Sequence, residues 1–416
     1  MEDYSSFLAV LVSLLVGLAI GKAWERYKLR EGRWIDRRKA RESPHYILGL
    51  NFLVANQLDR AIDELSRAAR LQPDALEIEM ILGNLHREKG QVGRAITIHQ
   101  GLLQRPKLTH LEHAYILLCL GLDYKRGGFV DRANEAFNEV LRLDPQNPYA
   151  LANVEKLHEE QHQWQEAMAI RRRLMDATDD TDQARHTQIL AFLETELGKE
   201  RLKQLDYKGA ADRFKAAIDL DPRTIPAHLN LGDVRFFEGN FAEAGAAWER
   251  IADVAPERAY LAFERLESLL MQQPDSQRFQ ALCRRLIAAN PQDWRAHAAL
   301  ARHLLARGSG AEALALMLEA LAHSPHALKV HQDIWQALVA LGLDPDLVKR
   351  YIELTRQSVF YLDPHVCQRC HYRSTELLWQ CPHCHEWDSF VEDRISPAQD
   401  VRDTAPGGST SAAPGS

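Results

Sequence analysis

Cysteine is scarce and unevenly placed. Only six occur in 416 residues, and four of them fall between Cys367 and Cys384. The other two, Cys119 and Cys283, stand alone in helical patterns. This usage excludes a disulfide framework and fits a reducing compartment. The lone thiols read as small core residues. No nucleotide-binding or acyl-site motif occurs, which disfavours a transferase. Basic residues are outnumbered, 51 Lys and Arg against 58 Asp and Glu, for a net charge of −7. A nucleic-acid-binding main body is therefore disfavoured, and no nucleic-acid partner is expected.

Charge is missing altogether from Tyr4 to Gly21, where Phe7 to Ile20 is an apolar run. That length just suffices to cross a hydrocarbon core as a helix, and it is apolar all round, unlike a buried soluble helix. Trp24 and Tyr27 follow at the expected depth for interfacial aromatics. A basic block comes next, with Lys22, Arg26, Lys28, Arg30, Arg33, Arg37, Arg38, Lys39 and Arg41. A cleaved signal peptide needs a basic start and an Ala-x-Ala site. Here the start is acidic, with Glu2 and Asp3, and no such site follows. We expect a retained single-pass anchor over 1–21 and a basic juxtamembrane linker over 22–43. The positive-inside rule then places the N-terminus outside and the bulk of the chain in the cytoplasm.

The middle of the chain repeats at about 34 residues. Leu48-Gly49 is followed by Ala61, Leu65, Ala68 and Pro73; Leu120-Gly121 by Ala133, Phe137, Val140 and Pro145. Leu197-Gly198 leads to Ala210, Phe214, Ala217 and Pro222; Leu231-Gly232 to Ala244, Trp248, Ile251 and Pro256. Leu300-Ala301 leads to Ala313, Met317, Ala320 and Pro325, and Leu82-Gly83 with Ala95 and Leu102 is a looser copy. The stretches at about 148–181 and 260–293 keep the length and lose most of the signature. Small residues let paired helices approach closely, and the Pro ends the second helix. The pattern resembles the tetratricopeptide repeat over 44–343, in about eight copies. The resemblance implies a superhelix whose concave face binds a partner. Repeat position alone nominates Asn84, Arg87, Lys125, Arg126, Asp233 and Arg302 for that groove.

His158-Glu159-Glu160-Gln161-His162 matches the His-Glu-x-x-His pattern of zinc proteases. That pattern needs both histidines in one continuous helix. The repeat frame puts His162 at the turn between helices, level with Gly128 and Gly239, so no catalytic zinc is expected there.

A final capping helix is expected over 344–362, with Leu347, Tyr351, Leu354 and Val359 on its buried side. Cys367-Gln368-Arg369-Cys370 and Cys381-Pro382-His383-Cys384 follow. Two such pairs on tight turns converge on one tetrahedral metal ion, which stabilises a module too small to build a core. A closed four-thiolate shell leaves no position for a substrate. It reads as structural, with Cys367, Cys370, Cys381 and Cys384 as ligands and no catalytic residue. His371, His383 and His385 are spare ligand types beside a complete set. The knuckles, with Tyr372, Trp379, Trp387 and Phe390, resemble a rubredoxin-type domain over 363–393. Iron and zinc both accept four thiolates, and the choice stays open. A short link to the array and surplus aromatic surface on Trp379, Trp387 and Phe390 predict that the module docks on the repeats, the last two among them. The tail, 394–416, is Pro-, Gly-, Ser- and Ala-rich and reads as disordered.

The fold class is thus all-α: a repeat superhelix between a transmembrane helix and a small metal knuckle. That order of parts resembles the lipopolysaccharide assembly protein B family of Gram-negative bacteria. The resemblance implies a non-enzymatic regulator on the cytoplasmic face of the inner membrane. It implies that the regulator promotes degradation of the deacetylase LpxC by the protease FtsH, and contacts other lipopolysaccharide assembly and transport proteins. The alternative is a metal-dependent redox protein, which would show a reversible coloured iron centre and a partner oxidoreductase.

Overall fold

The structure, a computed structural model, describes residues 43–178, 182–271, 277–324, 327–343 and 365–393, together with Asp346 and Lys349. The expected anchor, most of the basic linker, most of the capping helix and the tail lie outside the described residues. Among the described residues no helix is long and apolar enough to cross a membrane.

The chain divides into two compact units, residues 1–161 with 170–178 and residues 162–169 with 179–416. The described part of the first contains α1 (Pro44–Val54), α2 (Leu58–Leu71), α3 (Leu76–Glu88), α4 (Val92–Leu103), α5 (His110–Arg126), α6 (Val130–Leu143) and α7 (Pro148–Glu160). Helix α8 (Trp164–Ala177) follows in the chain. The second unit holds α9 (Gln183–Lys203), α10 (Tyr207–Leu220), α11 (Ile225–Phe237) and α12 (Phe241–Val254). A 3-10 helix (Pro256–Ala262) runs into α13 (Phe263–Met271), and α14 (Gln277–Ala289), α15 (Trp294–Ala306), α16 (Gly310–His323) and α17 (Leu328–Ala340) complete the helical part. Within each unit, consecutive helices pair as hairpins. The stretches that lost the repeat signature still form them, although the one after Ala255 opens with the 3-10 turn and a short α13.

Each well-marked repeat locks by one contact. An added Cβ on Gly121 would lie 2.5 Å from the Phe137 ring, and one on Gly198 would lie 2.4 Å from Phe214. Only glycine lets the aromatic of the second helix lie flat on the first. In the looser second repeat His99 takes the aromatic's place against Gly83. A buried imidazole needs a polar partner. It finds Asp123, which also accepts a 2.9 Å hydrogen bond from Arg87. His99 and Asp123 are both fully buried, so this repeat replaces an apolar contact with a hydrogen-bonded polar one.

The inter-helix turns need a left-handed residue. Gly90, Gly128, Gly239 and Gly308 supply it, and Asn56, His162 and Leu205 take it with positive φ. His162 has φ +57°, and α7 already ends at Glu160. The two histidines of the protease-like motif therefore do not share a helix, as the repeat frame predicts.

The knuckle adds the non-helical part. Strands β1 (His365–Cys367), β2 (Arg373–Ser374) and β3 (Phe390–Glu392) form an antiparallel sheet in the order β2-β1-β3. Val366 pairs with Arg373 on one side and Val391 on the other.

Candidate metal centre and its seat on the repeats

The two knuckles are built alike. His371 N–H donates to the Cys367 carbonyl and His385 N–H to the Cys381 carbonyl, each at 2.9 Å. Cys367 N–H donates to Tyr372 and Cys381 N–H to Glu386, again at 2.9 Å. His371 and His385 both have positive φ, 59° and 54°. These residues close turns, which is why they follow each Cys-x-x-Cys. All four sulfurs lie within 4.8 Å of one another. The Cys367–Cys384 and Cys370–Cys381 separations are 3.7 and 3.6 Å. A tetrahedron with metal–sulfur bonds of about 2.3 Å has edges of about 3.8 Å, so the spacing fits one four-thiolate ion. Cys367, Cys381 and Phe390 form the small buried core around it.

Protonation also favours a cation. Burial pushes the Cys367 thiol up, but the Ser389 hydroxyl and the N–H groups of Cys370 and Arg369 outweigh it and hold it at about 6. Burial, with the neighbouring sulfurs of Cys370, Cys367 and Cys381, pushes Cys384 up to about 12. One thiolate is ready near neutral pH, and a bound cation supplies the charge that lets the others lose their protons. Zinc and iron both suit this donor set.

The module sits on the repeats of the second unit. Trp387, only 1% exposed, stacks on Phe192 of α9 at 5.3 Å and 15°, and meets Trp164 edge-on at 6.3 Å. Trp379 lies 6.3 Å from Phe192 and under the Arg258 guanidinium. Arg185 donates to the Trp387 carbonyl at 2.7 Å and pairs with Glu386, while Arg258 pairs with Asp388 at 2.6 Å. Arg295 pairs with Glu392 of β3. Docking is as predicted, but its centre is α9 and the 3-10 helix. The last complete hairpin takes part mainly through Arg295. Phe390 lies in the knuckle's own core. The receiving residues Arg185, Phe192 and Arg258 carry no sequence signal, because their partners lie far along the chain, 201 positions away for Arg185 and 130 for Arg258.

Five of the six nominated groove residues reach across to a neighbouring helix. Arg87 hydrogen-bonds Asp123 and the Cys119 carbonyl, and Lys125 pairs with Glu160 at 3.3 Å. Asp233 accepts both prongs of Arg265 at 2.7 and 3.0 Å. Arg302 bridges Glu267 at 3.0 Å and Asp333 at 3.2 Å. Asn84 is half-buried, with its Oδ1 shielded and touching Cys119's surroundings through its amide, whereas Arg126 is exposed. Most of these side chains link successive repeats rather than standing free.

Known proteins share both parts. The rubredoxin metal binding domain family matches residues 365–392, and the tetratricopeptide repeat family matches 46–105, 195–259 and 280–327. Lipopolysaccharide assembly protein B of Escherichia coli (strain K12) is 24% identical over 382 residues, covering 91% of this chain and 97% of that protein. The protein of the same name from Haemophilus influenzae is 22% identical over 398 residues, covering 91% and 97%. Among solved structures, a MamA crystal structure aligns with 39% of this chain and 88% of that one, at 20% identity and a TM-score of 0.30. Tetratricopeptide repeats followed by a rubredoxin-type metal-binding domain, aligned along nine-tenths of the chain, make this protein a homologue of lipopolysaccharide assembly protein B.

Proposed function

We propose that this chain is a non-enzymatic scaffold that regulates lipopolysaccharide assembly. The observation that carries the reading is the alignment with lipopolysaccharide assembly protein B across repeats and knuckle together. The relatives' name gives the process. The repeats supply the kind of surface that holds another protein, and a four-thiolate site without an open position supplies a fold rather than a reaction.

In finer terms, residues 1–21 anchor the chain in the inner membrane with the N-terminus periplasmic, and the repeats work in the cytoplasm. The client is LpxC and the recipient is FtsH. Holding both at one membrane raises their effective concentration for each other. Arg126 and the exposed edges of Arg87, Lys125, Asp233 and Arg302 belong to the client surface, and Cys367, Cys370, Cys381 and Cys384 hold iron or zinc. Deleting residues 1–21 tests this, since repeats need only their neighbours to fold. At native abundance the truncated protein should leave LpxC long-lived in a pulse-chase measurement. Normal LpxC turnover with the truncated protein would remove the anchor from the mechanism.

A further inference from the structure

Helices α15 and α16 of the second unit carry ligand-type side chains away from the knuckle. His297 of α15 is only 4% exposed, and its Nε2 faces the Glu319 carboxylate of α16 across 3.5 Å. Glu319 is 62% exposed, so the gap opens to solvent. His323 stands one helical turn beyond Glu319, in the last turn of α16. Its ring centroid lies 6.0 Å from that of His297.

The other nitrogen of His297 decides what can fill the gap. Nδ1 lies 2.9 Å from the Asp293 carbonyl, which can only accept, so Nδ1 carries the proton. Nε2 therefore turns a lone pair toward a carboxylate, and two acceptors stand face to face. A proton or a metal cation between them relieves that opposition. A shared proton draws such a pair to about 2.7–2.9 Å, well inside the separation found. A tetrahedral ion with bonds of about 2.0–2.2 Å to imidazole and carboxylate sets the two donors about 3.4 Å apart, which matches it. Two imidazoles on one such ion have centroids about 5 Å apart, so His323 stands about 1 Å too far out. Among the described residues only the four cysteines bring every donor atom within 4.8 Å of the others. Binding here thus requires the half-buried His323 side chain to swing inward.

We propose that His297, Glu319 and His323 form a second metal site, for a borderline divalent cation of the zinc class. Two imidazoles and one carboxylate suit zinc, whereas magnesium and calcium take oxygen donors. The Asp293 carbonyl fixes the His297 tautomer, as the outer partner of a metal-bound imidazole does. The ion clamps α16 onto α15, the helix whose Arg295 receives Glu392 of the knuckle. Three ligands open to solvent hold it more loosely than four thiolates, so gel filtration strips this ion and leaves the knuckle's in place.

The site is independent of the scaffold reading. The test titrates zinc chloride into the full chain in detergent after gel filtration, in competition with a chromophoric zinc indicator. The wild type should take up one further equivalent at micromolar free zinc, and excess magnesium should not displace it. Glu319→Gln and His323→Gln leave the buried His297 in place, and each should weaken that equivalent at least about tenfold. No further equivalent at micromolar zinc, an equivalent bound as tightly by either variant, or its displacement by magnesium would overturn the proposal.

Discussion

Trp387 should be the residue that holds the metal module on the repeats. Its ring, 1% exposed, lies against Phe192 and Trp164. Burying about 150–250 Å² of indole at about 25 cal/mol per Å² contributes at most about 4–6 kcal/mol. The three ion pairs at the same face, Arg185–Glu386, Arg258–Asp388 and Arg295–Glu392, are all partly exposed. At about 0.2–1 kcal/mol each, they sum to less than the ring alone. Trp387→Ala should weaken the seat by about 3–5 kcal/mol, the usual cost of an aromatic deletion in a core. Since 1.4 kcal/mol is a factor of ten, hydrogen exchange in Gln183–Phe192 should accelerate about a hundredfold or more wherever exchange requires undocking. Metal content is measured on the same sample, because the substitution lies close to the knuckle's own turns. Phe192→Ala attacks the contact from the other side and leaves every knuckle residue in place. Unchanged protection of that segment in both variants, with metal retained, would refute the claim that the aromatic stack holds the module.

Two further outcomes follow from the geometry. Wild-type protein handled without chelator should carry about one equivalent of iron plus zinc, and Cys381→Ser should carry less than half while losing protection in β1 and β3, since binding and folding of such a site are one event; full metal occupancy in the variant would contradict the four-ligand assignment. Glu155 is fully buried beside Arg171, and burial pushes its carboxyl up to about 7, against the pull of Arg171 and with Glu159 adding to the rise. A raised carboxyl stabilises the fold most below its unfolded value and loses that contribution as pH climbs through about 7. Relative to Glu155→Gln, the wild type should lose roughly 2 kcal/mol of unfolding free energy between pH 5.5 and 8 in urea titrations. Parallel curves for the two proteins would show that Glu155 does not titrate in this range.

Local signals made the repeats legible. Gly at one position and an aromatic in the following helix predict a close approach that Gly121 and Phe137, or Gly198 and Phe214, then make. The same frame placed His162 at a turn and so removed a protease-like motif. The metal module was legible for the same reason, because Cys-x-x-Cys fixes its own turn. Long-range chemistry was not. Arg87 and Arg302 stand at groove positions by repeat count, yet the structure uses them to tie one repeat to the next. Their partners, Asp123, Glu267 and Asp333, are ordinary acidic residues until the hairpins stack. The seat of the knuckle was legible from one side only. Surplus tryptophan announced that something would be covered, but not that Phe192, rather than the last repeats, would cover it.

A repeat protein normally grows like a stack of coins, each unit complete once the next is laid. The contact between Arg185 and Glu386 breaks that rule, because it joins positions 201 residues apart. The chain from α9 onward is thereby turned from a line into a ring. A ribosome makes the clasp of that ring only after all of the intervening hairpins, so the α9 surface must wait, apolar and unpaired, while they emerge and fold. Closure then depends on the arrival of a metal as well as on translation. Metal supply during synthesis becomes a condition for completing a helical segment that itself ligates nothing.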